Sequence, residues 1–150
     1  LNYTPNINEL EPNCKRESGA RPAKFSFKQL GRQEMNNDYP IIRLGELYLI
    51  RAEALAKAAG DWSLALPDVN VIRRRAKASE FTAMDEKVFL AERGREMFQE
   101  GVRRTDLIRF GKYNEAWWEK PASSTFRNLF PIPVKQITAS AGTLSQNPGY

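Results

Sequence analysis

The sequence contains no histidine and a single cysteine, Cys14. Without histidine the commonest general base and the commonest metal ligand are gone. Serine–histidine and cysteine–histidine nucleophile systems are excluded within the chain, and neither a metal site nor a cofactor is expected. One cysteine cannot close an internal disulfide, so the redox compartment is not readable. No apolar run is long enough to span a membrane, and there is no signal sequence. Leu1 stands where a native start would carry methionine, so the chain is expected to be a fragment or a processed product, with any targeting signal missing. Excess charge is scarce as well. The 23 Lys and Arg against 18 Asp and Glu leave a formal +5. The basic residues are interleaved with acids, apart from Arg73-Arg74-Arg75-Ala76-Lys77. A nucleic-acid surface needs a stripe of such residues and a stronger net charge, and successive helical residues point in different directions, so no nucleic-acid partner is expected.

What is present is enough for one ordinary domain: 150 residues, 41% hydrophobic and 11% aromatic. The organising stretch is 39–79. In its first half Ile41, Leu44, Tyr48, Ala52 and Leu55 recur at helical spacing, widened by Leu47 and Ala54, and this stripe is the expected core face. Asp38 is the candidate cap and Pro40 the candidate first turn. Gly60 supplies a left-handed C-terminal stop and Asp61 an N-cap for a second helix carrying Leu64, Leu66, Val69, Ile72 and Ala76. So short a turn makes the two helices antiparallel, an αα-hairpin of tetratricopeptide type. Pro67 interrupts the pattern: either a loose turn precedes it or it is the helix's real first turn.

Residues 1–38 read as an irregular arm, with a short extended segment over 21–30 where Lys24, Ser26 and Lys28 alternate with Phe25 and Phe27. Residues 39–150 read as an all-α domain of the hairpin plus further helices joined by long irregular loops. Asp85 caps a third helix from Glu86 to about Gln99; a short helical piece runs from Arg103 to Gly111; Tyr113–Lys120 is a short helix or turn; Val134–Ala139 is one helical turn.

Three blocks carry a resemblance. The first is Arg43-Leu-Gly-Glu-Leu-Tyr-Leu-Ile-Arg-Ala-Glu-Ala54 with Gly60-Asp61, Val69-Asn70-Val71-Ile72-Arg73 and Arg75-Ala76. The second is Glu92-Arg-Gly-Arg-Glu96, Glu100-Gly-Val-Arg103 and Asp106-Leu-Ile-Arg-Phe-Gly111; the third is Pro131-Ile-Pro133 and Gln146-Asn-Pro-Gly-Tyr150. In this order they resemble the C-terminal portion of the SusD/RagB family of outer-membrane nutrient-binding lipoproteins of Bacteroidetes, over roughly residues 21–150. Gly45 and Pro67 depart from the family's usual helix-favouring residues. The resemblance implies a mostly helical, tetratricopeptide-like fold and a non-enzymatic protein. It also implies attachment at the surface of the cell outer membrane by an N-terminal lipidated cysteine. Glycans, or peptides in some members, would be captured in partnership with a SusC-like TonB-dependent transporter. Cys14 does not sit behind a signal peptide and is not assigned as the lipid anchor. Family members are several times longer than this chain.

Two clusters are candidates for function. Glu92 and Glu96 lie one helical turn apart, as two carboxylates of a glycoside hydrolase could. The arginines around them favour a structural ion network of Glu92, Arg95, Glu96, Glu100, Arg103, Asp106 and Arg109, because neighbouring cations lower a carboxylate's pKa and a general acid needs the reverse. Trp117, Trp118 and Tyr113 are the candidate ligand-binding residues, since aromatic faces stack on pyranose rings. The competing reading is that at least one tryptophan packs on the core: neighbours on a helix diverge and cannot do the same job. Apart from glycan capture, the remaining reading is a helical-repeat scaffold that binds a protein.

Overall fold

The structure, a computed structural model, describes residues 14–19, 24–25 and 38–150. They belong to two compact units, 1–39 and 40–150. In the first, Ser18 N–H donates to the Lys15 carbonyl at 3.0 Å in an exposed turn beside Cys14. Of the extended segment expected over 21–30 only Lys24 and Phe25 are described. Phe25 is not extended: its φ is 67°, and its ring lies 5.5 Å from that of Tyr39.

The second unit is all-α among its described residues. Its elements are α1 (Leu44–Ala59), a 3₁₀ turn (Trp62–Ala65), α2 (Leu66–Arg75), α3 (Glu86–Glu96), α4 (Arg103–Arg109), a 3₁₀ turn (Thr125–Asn128) and α5 (Val134–Ala139). No described helix is long and apolar enough to cross a membrane. Local chemistry sets most boundaries. Gly60 takes φ 67° at the end of α1, a conformation a side chain resists. The Asp61 carboxylate accepts from Ser63 N–H at 2.9 Å and that of Asp85 from Val88 N–H at 2.7 Å, as N-caps do. Pro67 sits in the first turn of α2, after the 3₁₀ turn, where its missing N–H costs no helical bond.

The start of α1 differs from expectation. Its N-cap is Arg43, at φ −139°, with no side-chain cap, and neither Asp38 nor Pro40 opens the helix. From this extended residue the Arg43 side chain runs past Gly45 to the end of α3 at Glu96.

The core lies between α1, α2 and α3. Leu49, Ala52 and Ala56 from α1 meet Ala65, Val69 and Ile72 from the second arm of the hairpin, and the small alanines allow close approach. Phe89 fills the centre, with Trp62 at 5.1 Å and Phe110 at 6.2 Å between ring centroids. Burying each of Leu49, Val69 and Phe89 contributes roughly 1.5–3 kcal/mol. The expected core stripe of α1 is therefore corrected: Leu44, Leu47 and Leu55 are exposed, and Ile41, 86% exposed, precedes the helix. The face that is buried, Leu49-Ala52-Glu53-Ala56, was hidden from a pattern search because a glutamate interrupts it.

Candidate functional site

A lattice of ion pairs stands beside the core. Arg43 donates from Nη1 to Glu96 Oε1 at 2.5 Å, and from Nε and Nη2 to the two Glu100 oxygens at 2.7 Å each. Arg75 donates to both Glu96 oxygens at 2.7 and 2.8 Å. Glu92 Oε2 accepts from Arg73 at 2.8 Å and Arg95 at 2.7 Å. Asp106 is fully buried, and its Oδ1 accepts from Arg93 and Arg109, both at 2.8 Å. Arg109 also clamps Glu53 at 2.7 and 2.9 Å. Arg103 donates instead to the Leu90 carbonyl at 2.7 Å. The arginines that reach Glu92, Glu96 and Glu100 thus come largely from α2 and the start of α1, not from the charged block itself.

This electrostatic setting holds charges ionised. The bidentate bond to Glu100 raises the Arg43 pKa against the opposing effect of burial, and Glu96 raises it further. Arg109 is raised in the same way by Glu53. Burial pushes the Glu53 carboxyl up, but the bonds from Arg109 and Lys57 outweigh it and leave the group below its ordinary value. Glu92 and Glu96 are each held by two guanidinium groups, and the pairs to Arg73 and Arg75 tie α3 to α2.

The glycines of this region make room for the arginines. A Cβ on Gly45 would collide with the Arg43 guanidinium, and one on Gly94 would stand 2.8 Å from Arg103 Nη1. The unexpected glycine in α1 is therefore a seat for Arg43. Asn70, buried on α2, exchanges two bonds with the backbone of Phe81, at 2.9 and 3.0 Å, and the Arg73 guanidinium lies 3.9 Å from the Phe81 ring centroid. That side-chain pair fixes the loop between α2 and α3.

The aromatic cluster lies in a tight turn and not in a helix. Trp117 and Lys120 exchange backbone bonds at 3.0 and 2.9 Å, so Trp118 and Glu119 occupy the corner, with Glu119 at φ 60°. The Lys120 ammonium lies 4.2 Å from the Trp117 ring centroid and 5.7 Å from that of Tyr113. Arg104 covers Tyr113 from 5.0 Å and Phe130 from 4.0 Å. Trp117 and Tyr113 are thus brought together through Lys120, each with a cation over its ring. Trp118 stands apart, 55% exposed, with no hydrogen bond or ring partner among the described residues. Trp62, the third tryptophan, packs on the core.

The last residues fold back on the segment before α5. Gln146 forms a two-bond pair with the Ile132 backbone at 2.8 and 2.9 Å, Asn147 donates to the Phe130 carbonyl at 2.8 Å, and Tyr150 OH donates to that of Leu129 at 2.9 Å. Phe126 meets the Tyr150 ring edge-on at 5.0 Å. The prolines and the terminal motif therefore act as a clip.

The family model described as the SusD family matches residues 8–150. The chain belongs to the SusD family. The starch-binding protein SusD of Bacteroides thetaiotaomicron is 36% identical over 125 residues, 77% of this chain and 22% of that relative. Surface glycan-binding protein A of the same organism has a similar solved structure, with TM-score 0.66 and 32% identity over 75% of this chain and 25% of that one. The same protein solved in complex with laminarihexaose gives TM-score 0.63 and 33% identity. The chain thus spans about a quarter or less of the length of these relatives.

Sequence reasoning missed several members of the lattice: Arg43, Glu46, Glu53, Arg73 and Arg75. The available signal was an acid on an apolar helix face. Glu46 and Glu53 flank Leu49 on the side of α1 that faces Arg93 and Arg109, and a buried carboxylate implies a cation opposite it.

Proposed function

We propose that this chain is part of a cell-surface glycan-binding protein of the SusD family, active in nutrient uptake at the outer membrane together with a SusC-like TonB-dependent transporter. Anchoring is through an N-terminal lipid. The protein works by binding and not by catalysis: oligosaccharide is held by stacking and hydrogen bonds and passed to the channel. The observation that carries the reading is family membership, with one relative named for starch binding and another solved holding laminarihexaose. The paired, arginine-held carboxylates at Glu92 and Glu96 support a non-catalytic role. Of the three expected ligand-binding residues, Trp118 is the most exposed and has no cation over its ring, which suits it to stack on a pyranose ring; Trp117 and Tyr113 buttress the turn that presents it.

Calorimetric titration with starch and laminarin oligosaccharides tests this reading on the longest chain that carries these residues. Binding of at least one glycan is expected, and Trp118→Ala is expected to weaken it by about tenfold, the loss of one stacking contact of roughly 1–1.5 kcal/mol. Binding that is untouched by Trp118→Ala moves the site away from this turn. Failure to bind any polysaccharide, with capture of a protein partner instead, would favour the helical scaffold.

A further inference from the structure

Residues 115–119 are all exposed, so the turn that carries Trp118 has no apolar core of its own. Polar bonds hold it instead. At the base, Tyr113 N–H donates to the Leu107 carbonyl of α4 at 3.1 Å. The Asn114 amide donates to the Ser123 hydroxyl at 3.2 Å and the Ser124 carbonyl at 2.9 Å. Ser123 N–H returns a bond to the Asn114 carbonyl at 3.0 Å, which closes residues 114–123 into a compact loop. At the tip, Glu119 holds φ 60°, a left-handed conformation that a side chain resists. Such a residue persists only where its surroundings fix it, and positions of this kind gather at ligand sites.

What fixes it is Lys120, the half-buried residue of the turn. Beyond its two backbone bonds with Trp117, its ammonium donates to the carbonyls of Glu115 at 3.1 Å and Pro121 at 3.2 Å, one on each limb of the loop. The same ammonium lies 4.2 Å from the Trp117 ring centroid and 5.7 Å from that of Tyr113. One cation thus joins both limbs of the loop and two of its rings. Two of its three donors are occupied by the loop's own carbonyls, so it acts through the turn and not on a bound sugar. Trp118 has no hydrogen bond or ring partner among the described residues, so the backbone of this turn is what places its ring.

We infer that Lys120 is a positioning residue for glycan binding: its ammonium holds the turn in the form that presents Trp118, so that a pyranose meets a ring already in place. A turn that had to be ordered on binding would lose its conformational freedom at that moment and bind more weakly. The inference rests on the reading of Trp118 as the stacking residue and adds the group that sets its geometry.

The test is Lys120→Met in the protein made from the full open reading frame containing this chain, which keeps a long apolar stem and removes the ammonium. Lys120→Gln replaces it should that variant fail to fold by circular dichroism. Tryptophan labelled with nitrogen-15 reads the backbone order of Trp118, its signal assigned by Trp118→Phe. The order parameter is expected to fall from about 0.85 to below about 0.6. Calorimetric affinity for starch or laminarin oligosaccharides is expected to fall about tenfold, as for a turn that must be ordered on binding, with the urea midpoint unmoved. Unchanged affinity overturns the inference, whether or not the order of Trp118 changes. Weaker binding with Trp118 still ordered also overturns it, since Lys120 would then touch the sugar itself. A urea midpoint that falls along with the affinity makes Lys120 a support of the fold and overturns it too. If Trp118→Ala weakens binding and Lys120→Met does not, this inference alone fails. If no glycan binds, or Trp118→Ala has no effect, the reading of Trp118 fails and the role of Lys120 falls with it.

Discussion

Asp106 is the residue on which the charged lattice turns. It is fully buried, its Oδ1 takes two arginines, and its Oδ2 and Arg93 Nη1 are buried with no partner among the described residues. Breaking a buried ion pair from one side leaves an uncompensated charge. Arg93→Met is therefore expected to lower stability by about 3–5 kcal/mol, measured by urea unfolding. The double variant Arg93→Met with Asp106→Leu is expected to lose less than Arg93→Met alone, since apolar groups of similar volume can replace a buried pair at little cost. A double variant as weak as the sum of its singles would mean that the two residues act separately.

Gly45 gives a prediction whose sign runs against helix propensity. Alanine in a helix interior is favoured over glycine by roughly 1 kcal/mol. Gly45→Ala is nonetheless expected to destabilise the protein, because the new Cβ meets the Arg43 guanidinium, which is locked to Glu96 and Glu100 and cannot swing aside without breaking those pairs. A rise in the thermal midpoint would refute this. Glu53 predicts a pH dependence. Its carboxyl is held below the ordinary 4.5, so the unfolded chain binds this proton more readily than the folded one. The contribution is full above that ordinary value and fades as the pH falls through the depressed one. Glu53→Gln should show a shallower loss of stability on acidification, read from urea midpoints across the acid range.

At the scale of elements, caps and breakers were the legible part of the sequence. Gly60, Asp61, Pro67 and Asp85 each mark a boundary through a local bond or a fixed φ, and local rules need only neighbouring residues. Asp85→Ala is expected to cost about 1 kcal/mol through the lost bond to Val88 N–H, measured as a shift in urea midpoint. The first end of α1 was not legible, because what stops it is Arg43 reaching Glu96 and Glu100, 53 and 57 residues away. The aromatic segment stayed open between helix and turn for a related reason. A tryptophan pair reads equally as helix or turn, and Lys120, whose ammonium covers two rings, settles it only in three dimensions.

For the molecule as a whole, family and fold class were readable because three blocks occur in order and two helices join through Gly60-Asp61. The orientation of α1 was not, since an apolar stripe says that something is covered without saying which of two sides faces this chain's own core. That core is small, centred on Phe89 and its ring neighbours Trp62 and Phe110. Phe89→Ala is accordingly expected to remove about 3–5 kcal/mol and with it most of the cooperative thermal transition, followed by circular dichroism.

The ion lattice draws its carboxylates and its arginines from different helices, and this bears on how the chain avoids misfolding. A purely greasy interface tolerates sliding, because one methyl can replace another. Here a slip of α3 by one turn would withdraw Glu92 and Glu96 from Arg73, Arg75 and Arg43 together, leaving the two largely buried carboxylates unpaired at a few kcal/mol apiece. The charged residues thus work as a checksum on alignment: a wrong register is penalised by the charges it fails to neutralise, and the native one matches them.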